Sequence, residues 1–320
     1  MQSQVLVLEK ILKLSTMKKI EWGIISLTLF LTSCSSDDAT PKDTTSTLNL
    51  TFSGLEDLGP NYRYEGWVLV DGAPVSTGVF SVNANGILSQ SNFEVPTDAL
   101  EMATKFILTI EPNPDPDSNP SAQKYLAGDF NQDSAAVSTD VAPAVGDFSM
   151  VSGDFFLRTP TDEAEGDPNN GNDQNGVWFG QPGTPPTASL NLPDLPEGWI
   201  YEGWVVGDSG PLSTGRFSNG AMMDENAGLA SSFGGTEKLG PMLPGEDFFN
   251  NVPAGETFPL DIRGRTVVIT VEPDPDNSPT PFALKPLAAT AGTDTAPSFY
   301  AFNLNLGSFP MGTATRWLFV

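Results

Sequence analysis

The chain has 320 residues, with 15 basic against 40 acidic, a net charge of −25, no histidine and one cysteine. Without histidine there is no Ser-His-Asp or Cys-His catalysis and no imidazole metal ligand, and one cysteine leaves no disulfide and no zinc–thiolate site. A surface this acidic repels nucleic-acid phosphates and anionic lipid headgroups, so no nucleic-acid partner is expected and any membrane attachment needs another device.

That device reads near the N-terminus. Met17-Lys18-Lys19 is a small positive cluster, Gly23 to Leu31 is apolar, and Leu31-Thr32-Ser33-Cys34 follows at once. A charged start, a short apolar run and small residues before a cleavage point mark a secretory signal over residues 1–33. The run is shorter than the roughly 20 apolar residues of a spanning helix. Residues 1–16 fit no signal design, so Met17 is the expected start. The small residues before Cys34 resemble the lipobox of bacterial lipoproteins. That resemblance implies a diacylglyceryl group on the Cys34 thiol, and two or more acyl chains anchor a protein stably. Ser35-Ser36-Asp37-Asp38 resembles the surface-export tag of Bacteroidetes-type lipoproteins. The expected location is therefore the cell envelope, on the outer membrane and facing outward. Without residues 1–33 the chain has 11 basic and 38 acidic residues, a net of −27.

Beyond the tether at 34–47 the sequence repeats itself. Tyr64-Glu65-Gly66-Trp67-Val68 returns as Tyr201-Glu202-Gly203-Trp204-Val205, and Pro74 to Ser81 returns as Pro211 to Ser218. Phe106-Ile107-Leu108-Thr109-Ile110-Glu111-Pro112 returns as Val267-Val268-Ile269-Thr270-Val271-Glu272-Pro273. The offset grows from 137 to 161 between these blocks, so the second copy carries 24 extra residues within 219–264. Each block alternates apolar and polar side chains with period two, the pattern of a half-buried strand. Asp71-Gly72 between two such runs predicts a type I′ hairpin. Trp67 and Trp204 read as core anchors, with Trp67 or Val68 on the core face. Pro-Asp loops follow both Glu-Pro pairs. The expected architecture is all-β: two tandem antiparallel β-sandwich domains over 48–179 and 189–320, joined by a linker at 180–188.

The repeated blocks resemble the extracytoplasmic C-terminal domain of anti-sigma-K factors. Tyr64-Glu65-Gly66-Trp67-Val68, Pro74 to Phe80 and Thr109-Ile110-Glu111-Pro112 with its proline loop carry the likeness, once per copy. The resemblance implies an antiparallel β-sandwich. Such factors also need a cytoplasmic sigma-binding segment and a spanning helix. Here a lipobox stands in their place, so the fold transfers and sigma inhibition does not.

Carboxylates are the remaining candidates for chemistry, but no asymmetric acid/base pair stands out, and no enzyme activity, metal or cofactor is expected. Glu111 and Glu272 occupy equivalent strand ends, which suits capping a turn or pairing with an arginine. Asp129-Phe130-Asn131-Gln132-Asp133 has the spacing of a calcium loop, but Ser134 stands where glycine is needed, so it reads as a polar turn. The insertion at 219–264 holds Met242, Leu243, Phe248 and Phe249 among Gly, Pro and acidic residues. These four are the expected partner-binding residues, since long aperiodic loops carry function more often than strands do. The functional expectation is a lipid-anchored binding or sensing module for an envelope protein or glycan. A regulatory partner of a spanning anti-sigma factor and a structural spacer are the alternatives.

Overall fold

A computed structural model describes residues 44–164, 170–226, 233–275 and 278–318. The signal sequence, Cys34, the acidic tag and the tether up to residue 43 lie outside them. The regular secondary structure of the described residues is almost all strand, and every strand pair is antiparallel. In chain order the strands are β1 (Thr45–Ser53), β2 (Tyr62–Val70), β3 (Ala73–Phe80), β4 (Asn92–Pro96), β5 (Lys105–Pro112), β6 (Lys124–Asn131), β7 (Ser134–Val137), β8 (Asp154–Leu157) and β9 (Gly176–Phe179). They continue as β10 (Trp199–Val206), β11 (Pro211–Phe217), β12 (Gly245–Asp247), β13 (Thr266–Pro273), β14 (Leu287–Thr290), β15 (Tyr300–Ala301), β16 (Asn303–Leu304) and β17 (Met311–Trp317). One short helix, α1 (Thr97–Met102), follows β4. No helix among the described residues is long and apolar enough to cross a membrane.

The strands form three sheets. The largest runs β3-β2-β5-β6-β7-β17-β1-β4, the second β11-β10-β13-β14-β16 and the third β12-β9-β8-β15. The first sheet curls until its end strands meet, with the rings of Phe80 on β3 and Phe93 on β4 6.0 Å apart.

The repeat survives as structure. The run β3-β2-β5-β6 matches β11-β10-β13-β14, and Tyr64 faces Phe80 as Tyr201 faces Phe217. Both hairpins carry a bulge at the same place, between Gly66 and Trp67 and between Gly203 and Trp204. Asp71 and Gly72 take φ 51° and 81°, left-handed at both positions as a type I′ turn requires. Gly66 is glycine because of crowding: a Cβ there would lie 2.5 Å from the Thr77 hydroxyl, and at Gly203 one would lie 2.3 Å from that of Thr214.

Phe106, Leu108 and Ile110 on β5 and Val267, Ile269 and Val271 on β13 point into one core shared by both copies. Trp67 and Val68 are both buried, on opposite faces of β2. Val68 joins the main core, and Trp67 packs with Ile107, Ala127 and Ala144 under the loop after β7.

Strand pairing runs straight across residues 180–188. β17, the last strand of the chain, lies between β1 and β7 in the first sheet. β12 and β15 from the second copy pair with β9 and β8 before the linker. β1 begins at Thr45, inside the stretch read as tether, because Thr45 to Thr47 pair with Pro96 to Glu94. Residues 43–320 thus make one compact unit.

Candidate functional site

The strongest polar clusters recur in both copies and hold the scaffold. Trp67 donates its indole N–H to the Thr109 hydroxyl at 2.9 Å, Thr109 donates to Glu111, and Glu111 accepts the Ser121 N–H at 2.9 Å. In the second copy Trp204 donates to Thr270 at 2.9 Å, Thr270 to Glu272, and Glu272 accepts the Phe282 N–H at 3.0 Å. Glu111 and Glu272 therefore cap the turns of the proline loops. Burial raises the Glu111 pKa, and the Ser121 and Thr109 hydrogen bonds oppose that rise. Ser76 donates to Glu65 and Ser213 to Glu202 in the same way.

Asp129 and Asp133 do not converge on a common point. Asp129 pairs with Lys105 at 2.7 Å and Asp133 with Arg316 at 3.5 Å, on either side of the β6–β7 turn, where Gln132 has φ 55°. Among the described residues no group of three acidic, histidine or cysteine side chains is placed to hold a metal.

The insertion at 219–264 builds local structure of its own. Phe233, Phe248 and Phe258 pack ring to ring, with centroids 5.4–5.8 Å apart. Three carboxylates stitch the insertion to the third sheet. Asp224 accepts the Gly245 N–H at 2.7 Å and Glu246 the Phe233 N–H at 3.2 Å. Asp247, wholly buried, accepts the Thr161 N–H and hydroxyl at 2.8 and 2.5 Å and the Trp178 indole at 2.8 Å. Burial pushes Glu246 up to about 9, with the charges of Asp247 and Asp224 adding to it. Burial likewise pushes Asp247 up to about 7, against the hydrogen bonds from Thr161 and Trp178.

Of the four residues expected at a partner surface, the structure exposes one. Met242 is 61 % exposed, Leu243 is buried against Phe156 and Trp178, Phe248 sits in the three-ring cluster, and Phe249 is half-buried. Leu239, 63 % exposed, is the other large apolar side chain of this stretch that faces solvent. The backbone between them lies on the indole of Trp178, where a Cβ on Gly240 would come within 2.1 Å of the ring.

Leu239 lines a groove of about 270 Å³. Phe156, Pro160, Pro185, Pro186 and Pro241 give it apolar walls, and Arg158, Glu163 and Lys238 sit along it. Glu163 is 1 % exposed and held by both cations, from Arg158 at 2.8 and 3.0 Å and from Lys238 at 3.1 Å. Asp173 and Asp247 add to the negative charge that Arg158 meets. Sequence reasoning missed Arg158, Lys238 and the prolines of 183–186, which it read as linker. Three segments far apart in the chain meet here, and no local pattern announces that.

A second cavity, of about 310 Å³, opens where the copies meet, between the β1–β2 loop and the loop after β13. Glu56, Asp57, Tyr62, Glu272 and Phe282 line it. Burial pushes Glu56 up to about 7; the nearby Lys285 ammonium opposes the shift and Glu272 adds to it.

No family model, curated protein or solved structure matches the chain.

Proposed function

We propose that this chain is a lipid-anchored cell-envelope protein, without catalytic activity, that binds another envelope protein through the groove beside Leu239 and Met242. The groove carries the reading. It places the exposed Leu239 side chain beside proline and phenylalanine walls, with exposed Met242 next in the chain after the lining residue Pro241, an apolar surface that suits a partner. Lys238, whose side chain is 45 % exposed at this groove on a chain of strong net negative charge, can meet an acidic side chain of the partner. The occupant is therefore an extended segment of a protein that presents apolar side chains around an acidic one. Cys34, acylated, holds the module at the membrane, and the repeated scaffold is kin to the outer domain of anti-sigma-K factors.

Two measurements test this. Crosslinking in intact cells followed by capture should recover a partner with the native chain and lose it with Leu239→Ser/Met242→Ser. If both chains recover the same proteins, the groove is not the docking surface. Cys34→Ala should move the chain from the membrane to the soluble fraction, and continued fatty-acid labelling of that variant would refute the anchor.

A further inference from the structure

We propose that the cavity between the two copies binds a primary ammonium group, carried by a lysine side chain of a partner protein or by a free alkylamine. The repeat itself supplies the first argument. At the offset of 137, Trp199 stands where Tyr62 does, Pro193 where Glu56 does and Gly198 where Asn61 does. In the equivalent place the second copy is filled. Trp199 is 5 % exposed and packs on Tyr125 and Phe282 at 5.6 and 5.9 Å, and a Cβ on Gly198 would lie 2.7 Å from the Ala122 carbonyl carbon. Gln123 closes the same seam by donating to the Asp274 carbonyl at 2.6 Å. Two equivalent loop junctions therefore differ: one is packed shut by an indole, and the other is open and carries a carboxyl where its counterpart has proline. Packing alone gives no reason to replace proline by glutamate at a half-buried position.

Charge and hydrogen bonding give the ligand class. Glu56, Asp57 and Glu272 line the cavity. The cation acting on Glu56, Lys285, is tied to the Phe282 and Pro281 carbonyls at 2.5 and 3.4 Å. Asp57 accepts the Gly59 N–H at 2.9 Å and Glu272 the Thr270 hydroxyl and Phe282 N–H, whereas Glu56 takes one backbone N–H, from Ala283. Beside Glu56 and Glu272 the Tyr125 hydroxyl is wholly buried and has no hydrogen-bond partner among the described residues. The cavity thus sets three carboxyls against neutral donors, the Asn61 amide and the Ser278 and Thr280 hydroxyls, so its lining is biased toward a cation. An ammonium supplies three donors and one positive charge, and the half-buried Tyr62 at the cavity wall suits a cation on an apolar stem. A neutral sugar would answer the acceptors but not the charge.

Glu56 faces Lys285, Glu272, Asp57, Tyr64 and Tyr125, and it must be ionised to hold the ligand. Binding should therefore weaken as pH falls below neutrality. The test is calorimetric titration of the full chain with Nα-acetyl-lysine amide and with cadaverine. Both should bind saturably at pH 8 and at least tenfold more weakly at pH 5.5. The Nε-acetylated lysine derivative should bind at least tenfold more weakly than its parent, and Glu56→Gln should lose tenfold while still unfolding in one cooperative transition. Tighter binding of the lysine derivative assigns the source to a partner protein, and tighter binding of cadaverine to a free amine; either order supports the ammonium class. Equal affinity for the Nε-acetylated compound, an affinity independent of pH, or binding of a neutral methyl glycoside in place of the amines overturns the proposal. The pH comparison and the neutral analogue need no variant, so they decide the matter even if Glu56→Gln does not fold. Leu239→Ser/Met242→Ser should leave amine binding unchanged, which separates this site from the groove.

Discussion

Trp67 donates its indole N–H to the Thr109 hydroxyl 2.9 Å away, across neighbouring strands, and Trp204 does the same to Thr270 at the same distance. The relationship explains why the same letters recur. Tyr64 and Tyr201 send their hydroxyls to the Glu56 and Pro193 carbonyls at 3.0 and 2.6 Å. Gly66 and Gly203 make room for Thr77 and Thr214, and Glu111 and Glu272 cap the following loop. The repeat is a hairpin and its neighbouring strand with one wired outer face.

Removing the threonine hydroxyl should break that wiring equally in either copy. Thr109→Val and Thr270→Val each leave a buried indole N–H without its acceptor and take one hydroxyl donor from a buried glutamate, which keeps its backbone N–H. Such losses cost about 1–3 kcal/mol. Urea unfolding should show that loss for each variant with an unchanged m-value. A loss below about 0.5 kcal/mol, the range of ordinary surface substitutions, would mean that the network is not structural.

Adding one methyl group at the bulge should also destabilise both copies. A Cβ on Gly203 would lie 2.3 Å from the Thr214 hydroxyl and 2.4 Å from the Phe179 ring. Overpacking of this kind costs about 1–3 kcal/mol. Thermal unfolding of Gly203→Ala should show a clear drop in Tm, and Gly66→Ala a smaller one, because its nearest ring atom is 3.0 Å away on Phe106.

These local features were legible because each is written within one or two short blocks. Period two fixed the faces of β5 and β13, and Asp71-Gly72 fixed the turn between β2 and β3. What could not be read was which distant strands would meet. Nothing in Met311 to Trp317 says that it pairs with β1 and β7 rather than with its own copy, since edge strands offer the same backbone donors and acceptors to any partner. The groove escaped for the same reason. Among the insertion's apolar side chains, no local pattern separates Met242, which faces solvent, from Phe248, which packs on Phe233 and Phe258.

The return of β17 predicts that the first copy is not a self-sufficient domain. Ala314 on β17 is wholly buried, and Arg316 donates to the carbonyls of Leu100 at 2.5 Å and Gln132 at 2.7 Å while covering the Phe130 ring at 4.8 Å. A chain ending at residue 310 should leave β1 and β7 with unpaired edges and the core beneath them open. Circular dichroism and hydrogen exchange should show β1, β4 and β7 unprotected, with loss of cooperative unfolding. Full protection in the truncated chain would show that β17 is dispensable. Arg316→Ala should be milder, at about 1–3 kcal/mol, because hydrogen bonds from a charged donor are lost but the strand remains.

The buried carboxyls set how stability depends on pH. Glu246, Asp247 and Glu56 have folded pKa values raised to about 9, 7 and 7 respectively. In the unfolded chain they titrate near 4. Between those limits the folded state holds protons that the unfolded state has released, so raising the pH favours unfolding. Stability should therefore be greatest near pH 5 and fall progressively toward pH 9. Asp261 and Glu256, whose pKa values are lowered by hydrogen bonds from Arg263 and from Ser209 and Asp208, act in the opposite sense, but their window lies below pH 4.5. Urea midpoints measured from pH 5 to pH 9 should trace this decline. Glu246→Gln should flatten its upper part, above pH 7, although an amide nitrogen placed near the Phe233 and Asp247 N–H groups lowers the starting stability. A midpoint that rose between pH 5 and pH 9, or a slope unchanged by Glu246→Gln, would show that Glu246 is ionised in the folded chain.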